Sequence, residues 1–102
     1  MRRATKRWLD ADCPAGVLAI FDDPRAIDRY TVFYAEPITD DGRTFCYAAM
    51  NAAPFHPQGF GQHGELEAYQ IRRYRRENAR YAAKWSTLPE DCKKLVRRDL
   101  AS

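Results

Sequence analysis

The sequence of 102 residues has no C-x-x-C pair, no internal repeat and no apolar run approaching the roughly 20 residues that span a bilayer. These absences exclude a membrane-spanning helix, a cysteine-knuckle metal site and a solenoid. The basic N-terminal stretch with Arg2, Arg3, Lys6 and Arg7 has no apolar segment behind it, so the pattern of a secretory leader is missing. The expectation is a soluble chain of the cytoplasm. Cysteine is scarce and odd in number; Cys13, Cys46 and Cys92 lie far apart, which suits thiols in a reducing compartment and small core residues rather than nucleophiles.

What is present is enough for one core. With 45% hydrophobic and 13% aromatic residues, the chain has the apolar surface to offset the entropy of ordering about 100 residues, and we expect a single domain spanning 1–102. The formal net charge of +3 conceals an uneven distribution. Residues 8–69 hold three arginines against ten carboxylates, whereas residues 70–84 hold five arginines and a lysine against Glu77. Such a split favours steering an anionic partner to one region, although a charge run also serves as an ordinary solvated helix face.

Residues 2–12 suit a short N-terminal helix, stopped by Pro14 and Gly16. Val17 to Phe21 is a short apolar run closed by Asp22, Asp23 and Pro24, as in a buried strand. Tyr30–Glu36 and Thr44–Met50 are rich in aromatic and β-branched residues and flank Asp41-Gly42, which predicts a hairpin with Pro37 at a strand end. From Glu65 to about 82 the residues Ile71, Tyr74, Asn78, Tyr81 and Trp85 recur at steps of three and four, predicting a helix with an aromatic stripe and an arginine-rich back. Asn78 interrupts the stripe, so it either finds a hydrogen-bond partner or marks the helix end. Thr87-Leu-Pro-Glu90 reads as a capped start for a second helix over 88–100, with Leu88, Cys92, Leu95, Val96 and Leu100 inward. The expected fold is α+β: a small antiparallel sheet of about three strands, with both C-terminal helices packed on one face. The second face would then be solvated, covered by the N-terminal segment or buried in a homodimer.

Glycine and proline concentrate in Pro54 to Gly64. Phe55, His56, Gln58, Phe60, Gln62 and His63 there offer stacking surfaces and hydrogen-bonding groups, the make-up of a ligand-recognition loop or of a rigid packed connection. Gly59-Phe-Gly-Gln-His-Gly64 matches G-x-G-x-x-G, but no strand immediately precedes it and Glu65 and Glu67 would repel a phosphate, leaving at most a few loop amides for an anion. His56 and His63, with Cys46 or Glu65, lack the spacing of a zinc site, and no metal or other cofactor is expected. The same histidines beside Asp22, Asp23 or Asp28 have the types needed for acid-base chemistry without a nucleophile to serve. Arg72, Arg73, Arg75, Arg76 and Arg80, interleaved with Tyr69 and Tyr74, form the best case for binding nucleic acid or a nucleotide-like anion.

Asp28-Arg-Tyr-Thr-Val32, then Met50 to Glu65 with Pro-Phe-His-Pro-Gln-Gly-Phe-Gly-Gln-His-Gly-Glu, and then Leu88-Pro-Glu-Asp-Cys92 resemble a group of small uncharacterised proteins of phages and other mobile elements. The likeness runs through most of the chain from Phe21 onward. It implies an accessory protein acting in the host cytoplasm, with a host defence system as one target, and transfers no catalytic residue. The leading expectation is a non-enzymatic binding module in which the arginine-rich helix attracts nucleic acid or a phosphate-bearing ligand and the Pro54–Gly64 loop shapes the site. The alternatives are an inhibitor docking on a host protein through the acidic middle of the chain or its aromatic surface, and a small hydrolase or lyase using His56 and His63.

Overall fold

The computed structural model describes residues 10–102, so the expected N-terminal helix falls almost wholly outside the described residues. Four strands, β1 (Val17–Asp22), β2 (Tyr30–Pro37), β3 (Thr44–Met50) and β4 (Gly61–Glu67), form an antiparallel meander in chain order. Two helices follow, α1 (Ala68–Glu77) and α2 (Glu90–Ala101), with single 3-10 turns at Ala79–Tyr81 and Trp85–Thr87 between them. The chain is α+β as expected, with four strands rather than three.

The expected hairpin forms between β2 and β3. Gly42 in its turn has φ 72°, a conformation that a residue without Cβ adopts without strain. The Asp41 carboxylate fixes the turn by accepting from the Thr39 hydroxyl at 2.7 Å and the Arg43 amide at 3.0 Å, and these bonds hold its pKa below the usual carboxylate range.

The extra strand lies where the helix was expected to begin. β3 and β4 pair without a break from Thr44 opposite Glu67 to Met50 opposite Gly61. Gly64 sits opposite Tyr47, and a Cβ built on it would lie 2.4 Å from the Tyr47 hydroxyl oxygen. The absent side chain therefore gives the tyrosine its place, as glycine within a strand often does for a crossing ring. Glu65, Leu66 and Glu67 alternate exposed, half-buried and exposed, the period of two of a strand rather than the first turn of a helix. Helix α1 starts only at Ala68, with the Gln70 side chain accepting from the Glu67 amide at 2.8 Å.

The two helices cover opposite faces of the sheet, not one. Ile71 and Tyr74 of α1, with Tyr81, pack on Phe21, Phe33, Phe45, Tyr47 and Leu66. Leu88 and the α2 residues Cys92, Leu95 and Val96 pack with Trp85 on Val17, Ile20, Val32, Ala48 and Met50. Coverage on both sides explains why Tyr30 to Tyr34 of β2 are all buried, Thr31 included, as in a central strand.

Asn78 makes the transition between the faces. Its amide nitrogen donates to the Tyr74 carbonyl at 2.9 Å and it caps the end of α1, so both proposed roles of this residue hold. Beyond it, Ala82 bridges to Phe21 and the Ala83 amide donates to the Ile20 carbonyl at 2.9 Å, so the chain runs along the outer edge of β1 and covers it. Trp85 thereby leaves the aromatic stripe and enters the core on the other face. The Thr87 cap does not form. Its hydroxyl donates to the Lys84 carbonyl at 2.6 Å, closing the 3-10 turn, and Pro89 occupies the N-cap position. Leu100, expected inward, is 37% exposed and lies beside Gly16 at the margin of the sheet.

Candidate functional site

On α1 the buried Ile71 and half-buried Tyr74 leave the opposite arc to Tyr69, Arg72, Arg73 and Arg76, which lie within about 100° of one another at 3.6 residues per turn. All four are exposed, Tyr69 at 56%. Among the described residues none of Arg72, Arg73, Arg75 and Arg76 takes part in an ion pair, so the acidic middle of the chain does not neutralise them. Two of its carboxylates are engaged elsewhere: Asp22 pairs with Arg29 at 2.6 Å and Asp23 with Arg25 at 3.5 Å. Arg80 lies over the Tyr81 ring at 4.9 Å with Arg25 over the same ring at 5.5 Å, and Arg25 also donates to the Tyr81 hydroxyl. The ring thus extends the basic surface from α1 to the β1–β2 turn.

The first half of the Pro54–Gly64 segment is an internally bonded connection. The Asn51 side-chain oxygen accepts from the amides of Ala53 at 3.0 Å and Phe60 at 3.1 Å, while the Asn51 amide donates to the Phe60 carbonyl at 2.9 Å. Within that clamp the His56 amide donates to Ala53, the Gly59 amide to His56, and the Gln58 amide to Nδ1 of His56 at 3.1 Å. A Cβ on Gly59 would lie 1.7 Å from the Ala53 carbonyl oxygen, so closure requires glycine. The amides of 53, 56, 58, 59 and 60 are all committed within the loop. Phe55, His56 and Gln58 stay exposed at its tip, and Phe60 is half-buried.

The loop and the arginines do not form one site. Cys92 of α2 donates to the Asn51 carbonyl at 3.2 Å, and Arg98 lies 5.2 Å over the Phe55 ring, which fixes the loop on the α2 side. The arginine helix covers the other face, and strand β4 separates the loop from its start. Gln62 and His63 belong to β4 itself. Gln62 shares the alternate positions that face α1 with Gly64 and Leu66, and His63 points to the α2 face.

His63 meets a carboxylate that sequence reasoning missed. Its Nε2 donates to Oδ2 of Asp99 at 2.7 Å, and the buried Tyr34 hydroxyl donates to the same oxygen at 2.5 Å. None of Asp22, Asp23 and Asp28 takes part in this contact. With Glu36 and Cys46 these residues line an open pocket of about 790 Å³ between the end of β2, the start of β3 and the end of α2. Burial, and then the bond to Asp99, push the Tyr34 phenol far above its usual range, so it serves as a fixed donor. The Cys46 thiol is raised by burial and then by the nearby Asp99 and Glu65 carboxylates, the opposite of an activated nucleophile. A signal for Asp99 was available: it stands seven residues after Cys92 and three after Val96, a carboxylate in register with the apolar stripe of α2. No cluster of three or more metal-ligating side chains occurs among the described residues.

No family model, curated protein or solved structure matches this chain. The geometry is therefore the basis for function.

Proposed function

We propose that the protein is a non-enzymatic module that binds single-stranded nucleic acid through the outer face of α1. The observation that carries this reading is that Arg72, Arg73 and Arg76 are exposed and without an ion pair among the described residues, with Tyr69 exposed among them. Unpaired guanidiniums neutralise backbone phosphates and release counterions, and an exposed ring at the same surface stacks on an unpaired base. Arg80 and Arg25 around Tyr81 lengthen the track toward the β1–β2 turn. The likeness to mobile-element proteins supports placing this activity in an accessory protein of a phage or similar element, acting in the host cytoplasm.

The test is fluorescence anisotropy with a labelled single-stranded oligonucleotide across a salt series. Affinity is expected to fall steeply with salt, and the Arg72→Gln/Arg73→Gln/Arg76→Gln variant is expected to flatten the log-log slope by about 2. Tyr69→Ala should weaken binding further by about 1–3 kcal/mol at unchanged slope. Wild-type binding that is absent or insensitive to salt, or a triple variant that binds as the wild type does, rejects the proposal.

A further inference from the structure

The pocket at the end of α2 is unlike the arginine surface in both shape and charge. Its floor holds Asp99, whose side chain is only 18% exposed. Oδ2 of that carboxylate is occupied by the two donors Tyr34 and His63, which come from different strands and fix its orientation. Oδ1 accepts no hydrogen bond from the described residues, yet it is not among the buried unpartnered atoms, so it remains open to solvent. Glu36, exposed and without an ion pair among the described residues, supplies a second carboxylate to the lining, which holds no lysine or arginine among the described residues, the nearby Arg98 lying over Phe55. The wall is apolar, formed by Pro14, Pro37, Ile38 and Leu100, the last two among the exposed large hydrophobic side chains of the chain.

A half-occupied, oriented carboxylate beside an apolar wall is complementary to one kind of ligand, a cation carried on a short hydrocarbon stem. We infer that this pocket binds an alkylammonium or alkylguanidinium group, with the stem along Pro37, Ile38 and Leu100, the cationic head donating to Oδ1 of Asp99, and Glu36 adding attraction at the rim. The aliphatic stem of such a group buries against apolar surface while its head keeps polar partners, and a fixed carboxylate makes a stronger bond to it than a mobile one. Asp99 is the binding residue; Tyr34 and His63 position it. The inference does not depend on the α1 proposal, which concerns the other face of the sheet and a ligand of opposite charge.

The experiment is an NMR titration of the full chain with butylguanidinium and with butylurea, its neutral isostere, following the signals of Tyr34, His63 and Leu100. Butylguanidinium should bind and butylurea should bind at least about tenfold more weakly. Asp99→Asn keeps an acceptor for the Tyr34 hydroxyl and should weaken butylguanidinium binding about tenfold; Glu36→Gln, at an exposed position that folding does not need, should weaken it by a smaller factor. A blocked arginine, carrying the same head on a peptide unit, distinguishes the source: tighter binding than butylguanidinium assigns the pocket to a basic side chain of a partner protein, and weaker binding assigns it to a free small molecule. Equal binding of the urea and the guanidinium, or affinity unchanged in both variants, overturns the inference.

Discussion

The two faces of the sheet are built from different materials. Under α2 the core is mainly aliphatic: Val32, Met50, Cys92 and Val96 are fully buried, with Tyr30, Tyr34 and Trp85 as its aromatic members. Under α1 it is aromatic, with Phe21 and Phe33 meeting Tyr74 edge to face at 5.1 Å and with Tyr47 and Tyr81 half-exposed at its margin. The mainly aliphatic face carries a pocket with carboxylates and the aromatic face a row of arginines without ion pairs among the described residues. A small sheet covered on both sides thus carries a carboxylate-lined pocket and a row of arginines on one set of strands.

The largest expected effect tests the difference in packing. Trp85→Ala should cost about 3–5 kcal/mol in urea unfolding, whereas Tyr74→Ala, at a half-buried position, should cost about 2 kcal/mol. Equal costs would mean that the faces do not differ as described. Asn51→Ala should follow at about 1–3 kcal/mol, since it strands the Ala53 and Phe60 amides, and hydrogen exchange should rise at those two amides and not in α1.

A smaller effect is expected at high pH. Burial pushes the Cys92 thiol up to about 12, so its folded pKa exceeds the unfolded one. Its contribution is then fully present below the ordinary thiol pKa of 9.0 and is lost as pH rises toward about 12, and the raised Tyr34 phenol acts in the same direction at higher pH. The urea midpoint should fall from pH 9 upward, and less so in Cys92→Ala measured against its own midpoint at pH 8. The smallest effect belongs to neither face. Asp41, with its pKa lowered by the hairpin bonds, contributes above its ordinary value of 3.8 and loses that contribution as pH falls further, so Asp41→Asn should differ from the wild type above pH 4 and converge with it in stronger acid.

Local patterns were legible where one period prevailed. β1, β2 and β3, the hairpin turn, the body of α1 and α2 all follow from apolar spacing and turn residues. The reading failed where a tertiary contact decided. Gly64 has meaning only against the Tyr47 ring of the neighbouring strand, so β4 merged with the helix that follows it. Trp85 kept step with the aromatic stripe although the chain changes face between Ala82 and Trp85, a shift set by pairing with the β1 edge. Of the candidate site, Arg72, Arg73 and Arg76 were readable as one exposed helix face, whereas Arg75 is half-buried and Arg80 lies past the end of α1 in a 3-10 turn. The pocket was not readable, because Tyr34, His63 and Asp99 are brought together from three elements distant in sequence.

The path of residues 78–85 around the β1 edge also sets an order of events at the ribosome. All four strands and α1 precede this crossing in the chain, and α2 follows it. During synthesis the aromatic layer can therefore assemble while the opposite side of the sheet, with Val17, Ile20, Val32, Ala48 and Met50, still lacks Trp85, Leu88, Leu95 and Val96. The nascent chain then passes through a stage with one finished surface and one adhesive one, which ends when Trp85, Leu88 and α2 dock.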